Sequence, residues 1–389
     1  MAALANPGLY VHVPFCGSKC HYCGFFSEAN SPWISRWVDA AGREARSYRA
    51  QWSGFDTVYV GGGTPSQLAD HELGKLLDML RRYFHVQEDA EVTLEVNPAD
   101  VTLPRARRWR ELGFNRVSVG VQSFRSEELR WLGRRHDARQ ARDAVEAVRR
   151  GGFQNVSLDL VQGLPGQSLA QRLQSLHVAL SLGPEHLSCY ELTVDQGTPL
   201  AAEVAAGECI LPDPDEQSRA VVAVVDLLLR NGYLHYEVSN YARFSQVTSR
   251  HNAKYWDHTA YLGVGPSAHS FDGQRRWWNL SSISAYCARI ERGQTVVENV
   301  EDLSEEQLRW ERVALGLRTS TGFDRSVLEA TPVIDSVLAE LCAEGLVQSN
   351  GDRVVATEQG LLVADALTRA LLFGSPTAPR MRSRSTSLQ

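Results

Sequence analysis

Three cysteines occur within eight positions of the segment YVHVPFCGSKCHYCGFFSEAN, residues 10–30. Cys16, Cys20 and Cys23 have the spacing C-x3-C-x2-C and follow a run that is typical of a β-strand. Thiolates so close in sequence can converge on one small group. Structural zinc, the alternative, almost always has four protein ligands, and no second pair is formed by the other cysteines, which are Cys189, Cys209, Cys287 and Cys342. An iron-sulfur cluster with one iron open to a non-protein ligand accounts for three thiols.

Six strand-like runs alternate with longer amphipathic stretches between Leu9 and about Val194. This alternation predicts βα units around a parallel sheet, and therefore an α/β fold with a full or partial barrel. A doubly wound open sheet is the alternative, because one sequence does not show the order of the strands. The runs are LYVHVPF, TVYVGGG, EVTLEVN, RVSVGVQ, NVSLDLVQG and HLSCYELTV, with helical patterns such as HELGKLLDMLRRYF and ARQARDAVEAVRR between them.

Polar or glycine-rich residues stand at the end of each of the first five runs. In barrels and open α/β sheets alike, the carboxyl ends of the strands form the rim on which ligand sites are built. Glycines there allow backbone groups to approach a ligand closely, although a tight turn also favours them. We therefore expect one face to carry the cysteine loop, Gly62 with Gly63, Glu95, Gln122 and Asp159.

The composition indicates a globular protein with a sizeable core, since 43% of the 389 residues are hydrophobic and 22% are charged. A net charge of −6 argues against a broad basic surface for nucleic acid. Seven cysteines without a regular framework are typical of a reducing cytoplasm. The first eight residues lack a secretory signal, and the longest apolar run, 220–229, is too short for a membrane span. We expect a cytoplasmic protein.

Four segments are predicted along the chain. Residues 1–235 form the barrel with its cysteine loop, and 236–300 form an aromatic-rich connecting region. Residues 301–373 form a small helical domain that resembles a winged helix, and 374–389 are disordered by composition.

The small domain has clear local signals. Ser304 and Gln307 predict a capping box at the start of a helix, and Asn350 with Gly351 predicts the turn of a hairpin. The acidic helix before that hairpin favours a structural or protein-contact role over DNA binding.

The cysteine spacing, with the aromatic Tyr22 before the last cysteine, resembles the motif of the radical S-adenosylmethionine (radical SAM) proteins. The resemblance implies a (β/α)6-type partial barrel and a 4Fe-4S cluster held by Cys16, Cys20 and Cys23. It also implies that the open iron is chelated by the methionine end of SAM, whose sulfonium C–S bond is cleaved by an electron from the cluster.

Further stretches are similar to the oxygen-independent coproporphyrinogen III oxidase family from Leu9 to about Phe373. They are LYVHVPFC, VYVGGGTPS, LEVNP, GVQSF, LGRRH, LDLVQGLPGQ and LGVGPSAHS. This resemblance implies that the SAM on the cluster is contacted by Tyr10, Gly62 and Glu95. It implies that a second SAM molecule is contacted by Gly63, Thr64, Gln122, Arg134 and Asp159. A solvated Arg134 and an Asp159 that satisfies local backbone donors are the alternatives.

Two departures separate this chain from the oxidases. The family's fourth cysteine position is occupied by Phe25, and few residues precede the barrel. Both favour the heme-chaperone branch, whose members are called HemW-like and share an H-N-x-x-Y-W stretch. The resemblance therefore implies heme contacts from His251, Asn252, Tyr255 and Trp256, since imidazole ligates heme iron and aromatic faces cover the macrocycle.

Other interpretations of the histidines stay open. A packed and hydrogen-bonded His251 is the structural alternative to a heme ligand. His258 and His269 lie nearby in sequence and compete with it as iron ligands.

The leading hypothesis is a heme chaperone that binds heme, one 4Fe-4S cluster and SAM, and passes heme to an acceptor protein that the sequence does not identify. A radical decarboxylase, coproporphyrinogen III oxidase, is the enzymatic alternative, and a zinc-stabilised scaffold is the third. Neither the cleavage of SAM nor the oligomeric state, for which a homodimer is one candidate, is decided by the sequence. Nucleic-acid partners and transmembrane segments are not expected.

Overall fold

The computed structural model describes residues 6–29 and 31–374. The chain divides into two compact units, one with residues up to 235 together with 239–302, and the other with 236–238 together with residues from 303 onward. The predicted connecting region over 236–300 is therefore not a separate segment, because nearly all of it belongs to the first unit. The predicted disordered tail, apart from Gly374, lies outside the described residues.

The elements are as follows. The strands are β1 (Gly8–Val13), β2 (Phe15–Cys16), β3 (Glu28–Ala29), β4 (Gly54–Gly62), β5 (His85–Val96), β6 (Arg116–Gln122), β7 (Asn155–Gln162), β8 (His186–Glu191), β9 (Leu234–Glu237), β10 (Asn240–Ala242), β11 (Tyr261–Val264), β12 (His269–Phe271), β13 (Arg275–Asn279), β14 (Val297–Asp302), β15 (Phe323–Asp324), β16 (Val347–Asn350) and β17 (Arg353–Ala356). The helices are α1 (Ile34–Tyr48), α2 (Asp70–Tyr83), α3 (Leu103–Glu111), α4 (Ser126–Trp131), α5 (Ala138–Arg150), α6 (Leu169–Ser181), α7 (Pro199–Ala205), α8 (Pro214–Arg230), α9 (Arg250–Trp256), α10 (Ile283–Glu291), α11 (Glu305–Gly316), α12 (Pro332–Ala343), α13 (Glu358–Leu361) and α14 (Ala364–Phe373). Over the described residues, none of these helices has both the length and the apolar character needed to cross a membrane.

Six parallel strands form the centre of the first unit. β1, β4, β5, β6, β7 and β8 are neighbours in the order in which they occur in the chain, and every neighbouring pair is parallel. A doubly wound sheet would instead reverse its strand order at a switch point. The prediction of a (β/α)6-type partial barrel is therefore confirmed.

The alternation of side chains along β1 shows which residues line the barrel. Leu9, Val11 and Val13 are buried in the apolar core that the surrounding helices complete. Tyr10 and His12 point to the other side, because successive side chains of a strand face opposite ways. The inward face of the strand is therefore the polar one.

The sheet continues beyond β1 through the aromatic-rich segment. β11 pairs with β1 in parallel, and β12, β13 and β14 add antiparallel strands. Trp277 Nε1 donates to the hydroxyl of Tyr48 on α1 at 3.2 Å, whereas Trp278 faces the other side of the sheet. Large adjacent side chains that face opposite sides, such as Trp277 and Trp278, are typical of a β-strand. The aromatic-rich segment thus forms strands of the sheet, although a connecting region was expected there.

Helix α1 is fastened to this extension by Glu44, which is 1% exposed. Its carboxylate accepts hydrogen bonds from the Gly265 N–H at 2.8 Å, from Asn279 Nδ2 at 2.6 Å and from the Tyr286 hydroxyl. Burial raises the pKa of Glu44 to about 7, while the three donors act to lower it. Gly265 has φ +107°, and a Cβ on it would lie 2.5 Å from the His12 carbonyl oxygen. The turn after β11 is thus held tightly against β1.

The second unit has its own core, to which Val313, Leu338, Val354 and Leu371 contribute. Four helices, α11 to α14, accompany a three-stranded sheet in the order β15, β17, β16. The capping box of Ser304 and Gln307 is confirmed. β16 and β17 form the expected hairpin, but its turn consists of Gly351 and Asp352, because Asn350 is still paired with Arg353. The winged-helix resemblance of this unit stays a prediction.

Replacing Glu44 by Ala is expected to lower the free energy of unfolding by about 3 kcal/mol, because three buried donors lose their acceptor. Urea denaturation followed by circular dichroism measures the loss, and faster amide hydrogen exchange at Gly265 should accompany it. Glu146→Ala, at an exposed glutamate of α5, is the control and should change stability by less than about 0.5 kcal/mol. Equal denaturation midpoints for Glu44→Ala and the wild type would show that the Glu44 contacts do not stabilise the unit.

Candidate functional site

The three cysteines lie on a loop at the carboxyl end of β1. The short parallel pair of β2 and β3 holds the two ends of this loop together, with Cys16 opposite Ala29. All three thiols are free and half-buried. Phe25, at the position of the oxidases' fourth cysteine, is 66% exposed. The segment that carries the thiols is therefore fixed at both ends and open to solvent.

Two of the cysteine sulfurs accept hydrogen bonds. Thr64 Oγ1 donates to Cys16 Sγ at 3.4 Å, and Arg134 Nη1 donates to Cys20 Sγ at 3.7 Å. Burial raises the pKa of the Cys23 thiol, and the charges of Cys20 and Cys16 raise it further. Donors of this kind favour thiolates, and a cationic metal cluster would relieve the repulsion between them.

The described residues contain no group of three or more His, Cys, Asp or Glu side chains arranged to hold a metal ion. A 4Fe-4S cluster makes a different demand from a single ion, because each thiolate ligates a different iron atom. Three free thiols on one loop, with donors to two of them, are a donor set that fits such a cluster. In addition, Arg134 Nε is buried and has no hydrogen-bond partner among the described residues, which leaves one N–H for an anionic ligand.

The residues that follow β4 lie against the base of the cysteine loop. The Thr64 N–H donates to the Phe15 carbonyl oxygen at 2.7 Å. A Cβ on Gly63 would lie 2.8 Å from that same oxygen, so the approach of two backbones excludes a side chain. Gly62 has φ +108°, and a Cβ on it would lie 2.7 Å from the His12 ring. Contacts within the protein already require both glycines, and their role as cofactor contacts stays a prediction.

Glu95 lies beside this segment at the end of β5. Its carboxylate accepts hydrogen bonds from the Tyr59 hydroxyl at 2.7 Å and from the Gly62 N–H at 3.1 Å. Burial raises the pKa of Glu95 to about 7, and the charge of Asp159 acts in the same direction. A half-buried carboxylate that titrates near neutrality is suited to accept hydrogen bonds from an amino or hydroxyl group of a ligand.

Asp159 is surrounded by hydroxyl groups. Ser118 Oγ donates to its two carboxylate oxygens at 2.9 and 3.1 Å, and Ser157 Oγ donates at 3.4 Å. A hydrogen bond from Ser188 also acts on Asp159, whose pKa is nevertheless raised, chiefly by burial. Local donors therefore do satisfy Asp159, although they are side-chain hydroxyls of three adjacent strands and not the backbone groups that were considered.

Gln122 and Arg134 meet above Gly120. A Cβ on Gly120 would lie 3.0 Å from Gln122 Nε2 and 3.4 Å from Arg134 Nη2. Arg134 Nη2 also donates to the Gly120 carbonyl oxygen at 3.0 Å, so Arg134 is not the solvated surface residue of the alternative interpretation. Gln122 adopts φ +65°, a conformation uncommon outside glycine. The end of β6 is thus shaped to bring these two side chains together beside Cys20.

Tyr10 and His12 connect the barrel interior to the far end of the cysteine loop. His12 Nε2 lies 2.8 Å from the Phe26 carbonyl oxygen, which can only accept, so Nε2 carries the proton. His12 Nδ1 is then an acceptor and receives the Tyr10 hydroxyl at 3.0 Å. Burial lowers the pKa of His12 to about 4, which keeps the ring neutral.

The structure groups the predicted cofactor residues at the carboxyl ends of the strands, on the side where the cysteine loop lies. The side chains or backbones concerned are partly exposed, unlike most neighbours on their strands. They are Tyr10, Gly62, Gly63, Thr64, Glu95, Gln122, Arg134 and Asp159.

The predicted heme residues lie elsewhere. His251 is 1% exposed, its Nδ1 is 2.9 Å from Thr57 Oγ1 and its Nε2 is 2.9 Å from the Tyr255 hydroxyl. Burial lowers the pKa of His251 to about 3, and its ring stacks on that of Tyr59 with centroids 5.1 Å apart. Because both ring nitrogens are engaged, this arrangement does not offer His251 to an iron atom, and it matches the packed-histidine alternative. Asn252, Tyr255 and Trp256 are half-buried.

Several residues of the site were not singled out from the sequence. Tyr59, His12 and Ser118 each touch a predicted cofactor residue. The alternation of Tyr10 and His12 with Leu9 and Val11 was the available signal, because polar side chains at every second position of a core strand face a cavity or one another.

Comparison with known proteins shows to which class of proteins this chain belongs. Residues 10–179 match the model of the radical SAM superfamily, and the three-thiol loop occupies the carboxyl end of the first strand of that region. The fold and the loop together are those of a radical SAM protein.

Similar proteins narrow the class to one family. The chain is 39% identical over 374 residues to the heme chaperone HemW of Mycobacterium tuberculosis (strain ATCC 25618 / H37Rv), covering 94% of each chain. It is 33% identical to the heme chaperone HemW of Bacillus subtilis (strain 168), covering 93% of this chain and 98% of that protein. A bovine mitochondrial protein, radical S-adenosyl methionine domain-containing protein 1, is 32% identical over 97% of this chain and 90% of its own. The chain belongs to the HemW family.

A solved structure agrees on the fold. Coproporphyrinogen III oxidase (HemN) from Escherichia coli superposes with a TM-score of 0.81, covering 95% of this chain and 92% of that one, at 24% identity. This likeness concerns the architecture and does not extend to the reaction.

Proposed function

We propose that this protein is a cytoplasmic heme chaperone that holds one 4Fe-4S cluster and SAM and transfers heme to an acceptor protein. The observation that carries the proposal is the loop of three free, half-buried thiols beside Thr64 and Arg134 in a chain of the HemW family. Relatives of that family are named heme chaperones, and their similarity covers nearly the whole chain.

The proposed cofactor roles follow from what each group can donate or accept. Cys16, Cys20 and Cys23 would ligate three irons of the cluster. Glu95 would accept from the amino or ribose hydroxyl groups of SAM, and Arg134 would bind a carboxylate. When bound, the cluster supplies an electron and SAM supplies a sulfonium that can receive it.

The first test concerns the thiols. Replacing Cys16, Cys20 or Cys23 by Ala is expected to abolish iron and sulfide uptake on anaerobic reconstitution, because each ligates its own iron. Cys209→Ala, at a half-buried cysteine outside the loop, is the matched control and should retain uptake. Iron and acid-labile sulfide analysis decides the matter, and stoichiometric zinc without iron in the wild type would favour the scaffold alternative.

The second test uses the pKa of Glu95, which burial raises to about 7. Below that pH the carboxyl is largely protonated and loses the negative charge that attracts the amino group of SAM, so the affinity for SAM should rise by about tenfold between pH 6 and pH 8. Glu95→Gln should bind SAM more weakly and lose this part of the pH dependence. Calorimetry on reconstituted proteins measures both effects.

The comparison of pH profiles separates Glu95 from the amino group of SAM, which titrates in both proteins. Identical profiles for Glu95→Gln and the wild type would return Glu95 to a structural role.

The third test separates a chaperone from an oxidase. Phe25 leaves the cysteine loop without a fourth thiol, and the protein is expected to bind hemin without replacing a missing coproporphyrinogen III oxidase in cells grown without oxygen. Soret absorbance during a hemin titration measures hemin binding, and growth of the complemented strain measures whether the protein replaces the oxidase. Restored growth together with no hemin uptake would overturn the chaperone and support the oxidase.

A further inference from the structure

A heme chaperone needs an iron ligand that heme can reach, and the histidine of the H-N-x-x-Y-W stretch is not accessible. His251 lies on the short helix α9, whose first N–H groups, those of Arg250 and His251, donate to the two carboxylate oxygens of Glu91 at 3.1 Å each. Both ring nitrogens of His251 are also hydrogen-bonded within the protein. The ring could reach a heme iron only if α9 moved away from the sheet. The ligand has to be sought among histidines that are already exposed.

His269 is exposed at the first position of β12. Its ring stacks on that of Trp278, with centroids 5.5 Å apart and an angle of 22° between the planes. In the part of the chain that the structure describes, neither ring nitrogen of His269 takes part in a hydrogen bond. Partial burial and the charge of Arg276 lower the pKa of His269, which favours the neutral ring that can donate a lone pair to iron.

The register of the strands places His269 on the same face as the candidate cofactor site. Tyr10 lies opposite Gly263, the pairing of Tyr261 with Phe271 sets Gly263 opposite His269, and His269 lies opposite Trp278. Opposite residues share a face of the sheet, and strands are spaced by about 4.8 Å, so His269 is about 10 Å from Tyr10 across the sheet. The His269 backbone lies close over Gly263, where a Cβ would be 2.1 Å from the His269 carbonyl oxygen.

A cation near His269 suits the propionate groups of heme. Phe271 lies two positions along on the same face, but it is 3% exposed and its ring packs against that of Tyr261 with centroids 6.2 Å apart, so it supports the strand and leaves Trp278 as the aromatic neighbour of His269. The Arg276 guanidinium lies 5.8 Å from the centre of the Phe271 ring and pairs with Glu301 Oε2 at 3.4 Å, so a heme propionate would share or replace this carboxylate partner.

The position of His269 is rigid. The turn that precedes it is anchored where Glu44 accepts from Gly265 and where Asn279 Nδ2 donates to the Gly265 carbonyl oxygen at 2.9 Å. The Asn279 N–H donates to Ala268, the residue next to His269, at 3.0 Å. A ligand held this way is preorganised, which lowers the cost of binding.

We propose that His269 is the axial ligand of the heme iron, with Trp278 fixing the plane of its ring and Arg276 binding a heme propionate. This proposal rests on the proposed heme binding and assigns its site.

Hemin titration of the full-length protein, followed by Soret absorbance, tests the assignment. His269→Ala should bind hemin at least about tenfold more weakly and lose the spectrum of imidazole-ligated heme, and added imidazole should restore that spectrum. Arg276→Gln should weaken binding of hemin but not of its dimethyl ester. His85→Ala, at an exposed histidine on β5, is the control and should match the wild type.

The outcomes distinguish failure of the proposed heme-chaperone function from failure of the assignment of His269. A wild type that binds no hemin overturns the proposed function itself. Hemin binding by the wild type that is unchanged in His269→Ala, or an imidazole spectrum lost only in His251→Ala, overturns the assignment of His269 and leaves the chaperone standing. Because His269 is exposed, its variant should keep the wild-type thermal unfolding midpoint, which confirms that any loss of binding is local.

Discussion

The buried carboxylate of Glu44 is the contact on which the arrangement of the first unit depends. It joins α1 to the turn after β11, to β13 and to α10 through single donors from Gly265, Asn279 and Tyr286. These donors lie more than two hundred positions along the chain from Glu44, so the contact closes the outer part of the sheet onto its first helix. Gly265 also lies directly against the His12 backbone. The hydrogen bonds of Glu44 therefore help to set the position of β11 relative to β1, and with it the position of the loops that follow these two strands.

Inside the barrel, a second set of contacts runs from His251 on α9 to Glu95 at the rim. His251 stacks on Tyr59, and Tyr59 donates to Glu95, which in turn holds the Gly62 N–H. Each member is satisfied by the next, as buried polar groups generally are. The Glu95 carboxylate at the rim is therefore oriented by the Tyr59 hydroxyl and the Gly62 N–H.

Local patterns were enough to predict the elements but not the contacts between them. The stretch ARQARDAVEAVRR coincides with α5, because periodicity and capping are properties of neighbouring residues, whereas the order of the six strands in the sheet was not shown by local patterns and is known from the structure. The side of α9 that faces the sheet depends on Thr57 and Glu91, far away in sequence. For this reason the H-N-x-x-Y-W stretch indicated a family correctly and did not reveal that its histidine is buried.

The pairing of β2 with β3 has a consequence for how the thiols are assembled. Without it, closing the loop around a cluster would require the chain on both sides to be brought together, at an entropic cost that grows with the length of the free segment. Because Phe15 already lies opposite Glu28 and the Glu28 N–H donates to the Pro14 carbonyl oxygen at 2.8 Å, only the short segment between Cys16 and Glu28 has to be ordered. The two ends of the cysteine loop are thus already held in place, so a cluster can assemble on the thiols without rearrangement of the barrel.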